Sequence, residues 1–352
     1  MSSQPLKILS FGAGAIGTYI GGSLALAGHD VVFVEHPDVA ETLRERGLRL
    51  DLSLDARRKT LETDLIPASD LIFVDSLEKA LDYGPFDIAL FALKSYDTES
   101  ALEGIKPFAE KMPPVLCLQN GVDNEPAIAE ILSPEKVIAG TVTSAVGRRD
   151  AGDIVLEKLR GVGIADEHPL SKRLVAAMND AFLNAKLYDR AADMKWSKML
   201  TNLVGNATSA ILDMSPAELF SRPDLYEFEM RMLRETLAVM EALGIQVLDL
   251  PGTPVRLLSW AAKGPVWLRP LAAKKLGGGR GGKMPSFHID LHSGRGKSEV
   301  DYLNGAVVRA GTKAGVPTLV NQLLNETLLS MTRGEIPLEE FAKKPEKLLG
   351  QV

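Results

Sequence analysis

The apolar positions of this chain follow two different periods. Through the first half, apolar runs of strand length recur at Lys7 to Phe11, Val31 to Val34, Leu48 to Leu52, Leu71 to Val74, Asp87 to Leu93 and Val115 to Gln119. Stretches with helical spacing intervene around Val39 to Arg46 and Thr98 to Glu110. Apolar strands alternating with helices specify a parallel sheet covered on both faces, because each crossover helix must bury its apolar stripe against the strands. Residues Val137 to Glu157 are rich in β-formers around the turn Arg148-Arg149-Asp150-Ala151-Gly152, so a hairpin closing the edge of that sheet is expected. Beyond about Pro169, helical periodicity dominates nearly to the C-terminus. It predicts one long helix from Asp189 to Leu212, and then a helix opened by the capping box Ser215-Pro216-Ala217-Glu218 with proline at its first position. A further helix runs from Asp224 to Leu243 and stops at Gly244. The expected organisation is an α/β domain over 1–168 and a mostly α-helical domain over 169–352.

The first strand runs straight into Gly12-Ala13-Gly14-Ala15-Ile16-Gly17. Ile20, Leu24, Leu26 and Ala27 then fall at helix-compatible spacing, Gly28 ends that helix, and Val31 opens the next strand. Strand, glycine turn, helix and strand within about 30 residues make a βαβ unit whose turn faces a pyrophosphate. Gly12 permits the sharp turn, Gly14 lets backbone approach the phosphates, and Gly17 lets the helix pack on the strand with its N-terminus toward the anion. The first domain therefore reads as a Rossmann-type doubly wound sheet binding a nicotinamide dinucleotide. The competing reading is a glycine turn that serves packing alone.

Composition narrows the class of partner. The 352 residues are 45% hydrophobic and 24% charged, which fits a globular chain of about two domains. A formal net charge of −6 gives no global field attracting nucleic acid or an anionic membrane surface. No apolar stretch approaches the roughly 18 residues of a membrane span, and no basic-then-apolar leader precedes the first strand, so a cytoplasmic protein is expected. Cys117, within Val115-Leu116-Cys117-Leu118, has no partner for an intrachain disulfide and reads as an inert core thiol. The five histidines and one cysteine show no ligand spacing, and no metal site is expected.

Reducing a ketone with a nicotinamide takes a nucleotide pocket, a donor for the developing alkoxide and groups that fix the carbonyl. Lys198, Asn202 and Asn206 recur at i, i+4 and i+8, which would place a cation and two amides on one stripe of the long helix. The plain alternative is the solvated face of an amphipathic helix. Lys94 and Asn120 follow two of the predicted strands, at the carboxyl ends where open α/β sheets bind ligands; polar loop residues are also common there. Glu299 falls in the first turn of a predicted helix, where an acid is favourable to the helix dipole whatever its function.

Taken together, Gly12 to Gly17, Leu93-Lys94-Ser95, Leu118-Gln119-Asn120-Gly121, Trp196-Ser197-Lys198-Met199 with Asn202 and Asn206, Pro285-Ser286, and Glu299-Val300-Asp301-Tyr302-Leu303-Asn304-Gly305 resemble the ketopantoate reductase family over nearly the whole chain. The resemblance implies reduction of 2-dehydropantoate to (R)-pantoate with NADPH, on the route to pantothenate and coenzyme A. It implies Lys198 as the proton donor, with Asn120, Lys198, Asn202 and Asn206 touching the substrate and Ser286 meeting its carboxylate. It also implies Gly12, Ala13, Gly14, Ala15, Ile16 and Gly17 on the cofactor phosphates. Residue 35, Lys94, Asn120, Val146 and Glu299 would line the rest of the cofactor site.

Three departures bear on the details. Where the family usually carries an arginine for the 2′-phosphate of NADPH, this chain has Glu35-His36; a carboxylate there favours a free ribose 2′-hydroxyl, and so NAD, unless Arg44 or Arg46 folds back. The connection from Gly244 to Pro285 looks longer than usual and carries Lys263, Arg269, Lys274, Lys275, Arg280 and Lys283, as a basic lid over the substrate or as a solvated insertion. Its tail, Gly277-Gly278-Gly279-Arg280-Gly281-Gly282, reads as a loop, and one such element in an acidic chain is no nucleic-acid site. Phe287-His288-Ile289-Asp290 replace the customary apolar and glutamine residues after Ser286.

The expected partner is a small-molecule 2-oxo acid, and the cofactor NADP or NAD. Two alternatives stay open: an NAD-dependent D-2-hydroxyacid dehydrogenase for another branched or aromatic 2-oxo acid, and a non-catalytic nucleotide-binding protein. The apolar positions Leu200, Leu203, Val204, Ile211 and Leu212 serve either an intramolecular core or a homodimer interface.

Overall fold

The computed structural model describes residues 4–58, 65–264 and 283–352. The chain divides into two compact units, one of Met1–Lys195 with Leu250–Thr253 and the other of Trp196–Asp249 with Pro254–Val352. The division lies beyond residue 168, because a strand at Ala185–Tyr188 pairs in parallel with Val162–Ala165 and so belongs to the first unit's sheet.

The first unit contains β1 (Lys7–Phe11), α1 (Ala15–Leu26), β2 (Asp30–Val34), α2 (Pro37–Arg46), β3 (Leu48–Asp51), β4 (Leu65–Ile66), β5 (Ile72–Val74), α3 (Leu77–Leu81), β6 (Ile88–Phe91), α4 (Thr98–Ile105), β7 (Val115–Cys117), α5 (Asn124–Leu132) and β8 (Val137–Val142). β9 (Ala145–Asp150), β10 (Asp153–Lys158), β11 (Val162–Ala165), α6 (Ser171–Asp180) and β12 (Ala185–Tyr188) follow. Among the described residues, eight strands form one sheet in the order β12-β11-β8-β7-β6-β1-β2-β5. β1 is central and pairs in parallel with β2 and β6, Ile8 facing both Val31 and Ile88. Neighbours are parallel throughout except β11 against β8. The apolar runs of the sequence are thus the buried strands of a doubly wound sheet.

Two expectations change here. The hairpin forms as β9 and β10, turning through Ala151-Gly152, yet it does not close the edge of the main sheet. It joins β3 and β4 in a second sheet of order β4-β3-β10-β9, which also takes the predicted strand at Leu48 out of the main sheet. The reason lies in α1, where every residue from Gly17 to Leu24 is buried. Its Tyr19, Ile20 and Leu24 share one core cluster with Ile8, Val31 and Leu90 of the large sheet and with Leu48, Leu50, Ile154 and Leu156 of the small one. A helix apolar all round needs cover on both sides, and burying Ile20 or Leu24 is worth ~1.5–3 kcal/mol each.

The division between the units falls inside α7 (Ala191–Leu203), and α8 (Ala207–Leu212), α9 (Pro216–Ser221), α10 (Pro223–Ala242), α11 (Val255–Lys263) and α12 (Ser286–His292) come after it. A π turn at Asp301–Gly305 leads into α13 (Ala306–Ala314), followed by α14 (Leu319–Thr332) and α15 (Pro345–Leu349). The single helix expected from Asp189 to Leu212 is broken in two. Gly205 sits at φ +61°, and the fully buried Glu229 of α10 accepts hydrogen bonds from the Gly205 N–H and the Thr208 hydroxyl. The side chain of one helix thus satisfies backbone and hydroxyl donors at the start of another. The capping box forms at Ser215 and Glu218, whose backbone and hydroxyl hydrogen bonds hold the Glu218 carboxyl down at about 2. Arg269, Lys274, Lys275, Arg280 and the run Gly277 to Gly282 lie outside the described residues. No described helix is long and apolar enough to cross a membrane.

Candidate active site

The glycine turn carries the geometry a dinucleotide needs. Gly12 stands at φ +88°, and a Cβ there would press to 2.9 Å from Leu93 Cδ2. At Gly17 a Cβ would lie 2.0 Å from the Gly12 carbonyl oxygen, so only glycine fits. Around Gly14, by contrast, nothing lies within 4 Å of where a Cβ would be. No side chain caps α1, and the Ala13 carbonyl oxygen accepts from the Thr18 hydroxyl at 2.8 Å and the Gly152 N–H at 2.9 Å. Backbone drawn tight at Gly12 and Gly17, open at Gly14 and uncapped at the helix start fits a pyrophosphate at a helix N-terminus.

Glu35 follows β2, and its Oε1 accepts the Ala13 N–H inside the turn. Arg44 and Arg46, which could have supplied positive charge here, are engaged: Arg44 Nε donates to the Phe73 carbonyl at 2.9 Å, and Arg46 pairs with Asp150 and the Ala151 carbonyl. Val146 lies on β9, half-buried and packed against the core cluster around α1.

At the carboxyl ends of β6 and β7, two loops are lashed together. Lys94 precedes the short helical turn Ser95–Asp97, and Asn120 follows β7 within the Leu118 to Gly121 stretch; both side chains are half-buried. The Asn120 carbonyl accepts from Ser95 Oγ at 3.0 Å and from Asn124 Nδ2 at 2.6 Å. Gln119 Nε2 donates to the Leu93 carbonyl at 3.1 Å and to Thr98 Oγ1 at 2.8 Å. Lys195, which the sequence reading passes over, completes this network: its Nζ donates to the Gln119 carbonyl at 2.6 Å and lies 2.7 Å from Glu125 Oε1. Burial works against the Lys195 ammonium, but Glu125 outweighs it and the pKa is held above the ordinary lysine value. The thiol of Cys117 lies beneath, pushed well up by burial and then by Glu125, so it supplies no thiolate. The sequence signal for Lys195 is its place three residues before Lys198 and seven before Asn202, on the same polar stripe of α7.

In the second unit, Lys198 and Asn202 stand one turn apart on α7, both half-buried. The break at Gly205 moves Asn206 off that stripe: it is the residue before α8, not a third position on one helix. There its amide is committed twice. Asn206 Oδ1 accepts the Phe287 N–H at 3.1 Å, and Nδ2 donates to Ser286 Oγ at 3.3 Å, so Asn206 holds the first turn of α12. Glu299 is buried immediately before the helical segment that opens at Val300, just ahead of the π turn. His288 and His292, one turn apart on α12, meet Asp213 at the end of α8, a grouping that the expected lack of ligand spacing overlooks.

The profile of a family described as "Ketopantoate reductase PanE/ApbA" matches residues 8–166, and the profile of its C-terminal part matches 190–331. The chain belongs to the ketopantoate reductase family. Among family members, a 2-dehydropantoate 2-reductase of Archaeoglobus fulgidus is 28% identical over 95% of this chain and 98% of its own length. One from Lactococcus lactis is 25% identical over 89% and 94%. In three dimensions, a PanE/ApbA family ketopantoate reductase from Ralstonia eutropha superposes with a TM-score of 0.76 at 26% identity, covering 94% of this chain and 99% of that one. A D-mandelate dehydrogenase solved with NADH and anilino(oxo)acetate shares the fold at a TM-score of 0.74 and 22% identity, with the same coverage. The protein is thus a nicotinamide-dependent oxidoreductase, as the six motifs implied, and the turn at Gly12 to Gly17 fits that cofactor.

Proposed function

We propose that this ketopantoate reductase family member reduces 2-dehydropantoate to (R)-pantoate, with NADH as the preferred reductant. The observation that carries the reading is the clustering of Asn206 and Ser286 at 3.3 Å in the unit that also bears Lys198 and Asn202 on one helical stripe. When bound, the nicotinamide supplies the hydride. Lys198 delivers the proton to the nascent alkoxide at C2, the role of a positioned general acid. Asn120, Asn202 and Asn206 donate to substrate oxygens without titrating, and Ser286 meets the carboxylate. Gly12, Ala13, Gly14, Ala15, Ile16 and Gly17 take the pyrophosphate, while Lys94, Asn120, Val146 and Glu299 line the nicotinamide and ribose side. Glu35, tied to Ala13, accepts from ribose hydroxyls and repels a 2′-phosphate.

A second reading, a D-2-hydroxyacid dehydrogenase for a branched or aromatic 2-oxo acid, draws on Phe287-His288-Ile289-Asp290 at the start of α12, where the family pattern is different. Absorbance at 340 nm with NADH and NADPH, against 2-dehydropantoate and a panel of branched and aromatic 2-oxo acids, separates the two. Fast turnover of 2-dehydropantoate is the expected result. Turnover confined to other 2-oxo acids moves the protein to the second reading, and binding of cofactor with no turnover on any of them refutes both.

A further inference from the structure

Asp213, His288 and His292 each present one ligand atom, and these atoms all lie within 4.8 Å of one another. His288 Nε2 is 2.8 Å from Asp213 Oδ1. The His292 ring stacks on that of His288 with centroids 4.0 Å apart, and its Nδ1 lies 2.9 Å from the His288 carbonyl oxygen. A carbonyl only accepts, so His292 Nδ1 carries the proton and the Nε2 lone pair is left available. An imidazole tied back through one nitrogen to a backbone carbonyl is how metal-binding histidines are oriented. A simple His–Asp hydrogen bond accounts for the first of these contacts but not for a second imidazole stacked on it and fixed in this tautomer. Asp213 itself is held in the left-handed region at φ 49° as the residue that ends α8.

We propose that Asp213, His288 and His292 bind a divalent transition-metal ion of the zinc class through Asp213 Oδ1, His288 Nε2 and His292 Nε2. Two imidazoles and one carboxylate suit zinc, cobalt or nickel rather than magnesium or calcium. With metal–ligand distances of ~2.0–2.1 Å, neighbouring ligand atoms of a tetrahedral site stand roughly 3.3 Å apart. His288 and Asp213 therefore open by about half an ångström, and the exposed His292 ring turns out of its stack on His288 so that its in-plane Nε2 lone pair points at the ion. Beside the cluster is a cavity of about 200 Å³ lined in part by Asp213, His292 and Glu339, which leaves room for water at a fourth position. The ion would join α12 to the end of α8, two helices already linked at their starts by Asn206 with Ser286 and Phe287. The site is independent of which 2-oxo acid the enzyme takes.

The test is calorimetric titration of the full, tag-free, chelator-stripped chain with zinc sulfate, with cobalt(II) absorption as an optical readout. One zinc per chain is expected, together with a cobalt band in the visible. Both should be lost or weakened more than about tenfold in His292→Gln and Asp213→Asn. His292 is exposed, so His292→Gln keeps its fold, and circular dichroism verifies this. His36→Gln, at an exposed position of the first unit, should bind like the parent chain. Zinc affinity unchanged in His292→Gln, or lowered as much by His36→Gln, overturns the proposal, as does the absence of stoichiometric binding.

Discussion

The Lys195 ammonium lies 2.7 Å from the Glu125 carboxylate, with side chains only 5% and 15% exposed. Removing one partner of a buried pair leaves the other charge uncompensated, at a cost of about 3–5 kcal/mol, whereas replacing both by apolar groups is often neutral. Lys195→Met should therefore destabilise the protein by about that much in urea unfolding, and Lys195→Met combined with Glu125→Leu should recover much of it. The pH dependence has a definite sign. With a folded pKa above the ordinary 10.5, Lys195 contributes stability that is complete below that value and lost as pH rises through the folded one. The gap in melting temperature between the parent chain and Lys195→Met should narrow above pH 10.5 and stay constant near neutrality.

Lys198 stands three residues further along α7 and is half-buried. In Lys198→Ala, with its fold verified by circular dichroism, kcat should fall by about 10²-fold or more, the scale of a lost general acid. Turnover within a few-fold of the parent would remove Lys198 from the proton-donor role.

What can be read from the sequence here is what lies close along the chain. The turn at Gly12, the strands flanking it and the Ser215–Glu218 box are each specified by neighbouring residues, so periodicity and turn chemistry suffice for them. The small sheet is not legible in that way, because β3 reaches β10 across more than 100 residues and nothing in Leu48 to Leu52 names its partner. The broken helix fails for the same reason. Leu200, Leu203, Ala207 and Ala210 on either side of Gly205 favour a continuous helix, and it is Glu229 on another helix that decides against one. Of the candidate site, the residue types were legible as motifs; the commitment of Asn206 to the first turn of α12 and the support of Lys195 beneath Gln119 were not, since both are side-chain contacts between distant segments.

Asn206 holds Ser286 and the Phe287 N–H through one amide, so the residues act as a unit. Asn206→Ala and Ser286→Ala should each raise KM, and the double variant should be less impaired than the product of the single effects, with a coupling of roughly 0.5–3 kcal/mol in kcat/KM. Asn206→Asp keeps an acceptor for the Phe287 N–H but buries a carboxylate at a position only 4% exposed, and should be less stable than the parent. Strict additivity would mean that the two side chains meet the substrate independently.

In the proposed reading Glu35 bears on cofactor choice, its carboxylate being fixed on the Ala13 N–H within the turn assigned to the pyrophosphate. Unit charges of like sign a few ångströms apart repel by about 1 kcal/mol in water and several times that at a protein surface, so a 2′-phosphate beside Glu35 is disfavoured. Glu35→Arg reverses the sign of that interaction and should shift the ratio of kcat/KM values toward NADPH by at least about tenfold. Glu35→Gln, which removes the charge and keeps an acceptor for Ala13, should move the ratio by a smaller amount in the same direction. Arg44 and Arg46 are occupied by Phe73, Asp150 and Ala151, so neither offsets Glu35 in the parent chain, and Arg44→Ala should leave the ratio nearly unchanged. A ratio unmoved by Glu35→Arg would place cofactor discrimination elsewhere in the first unit.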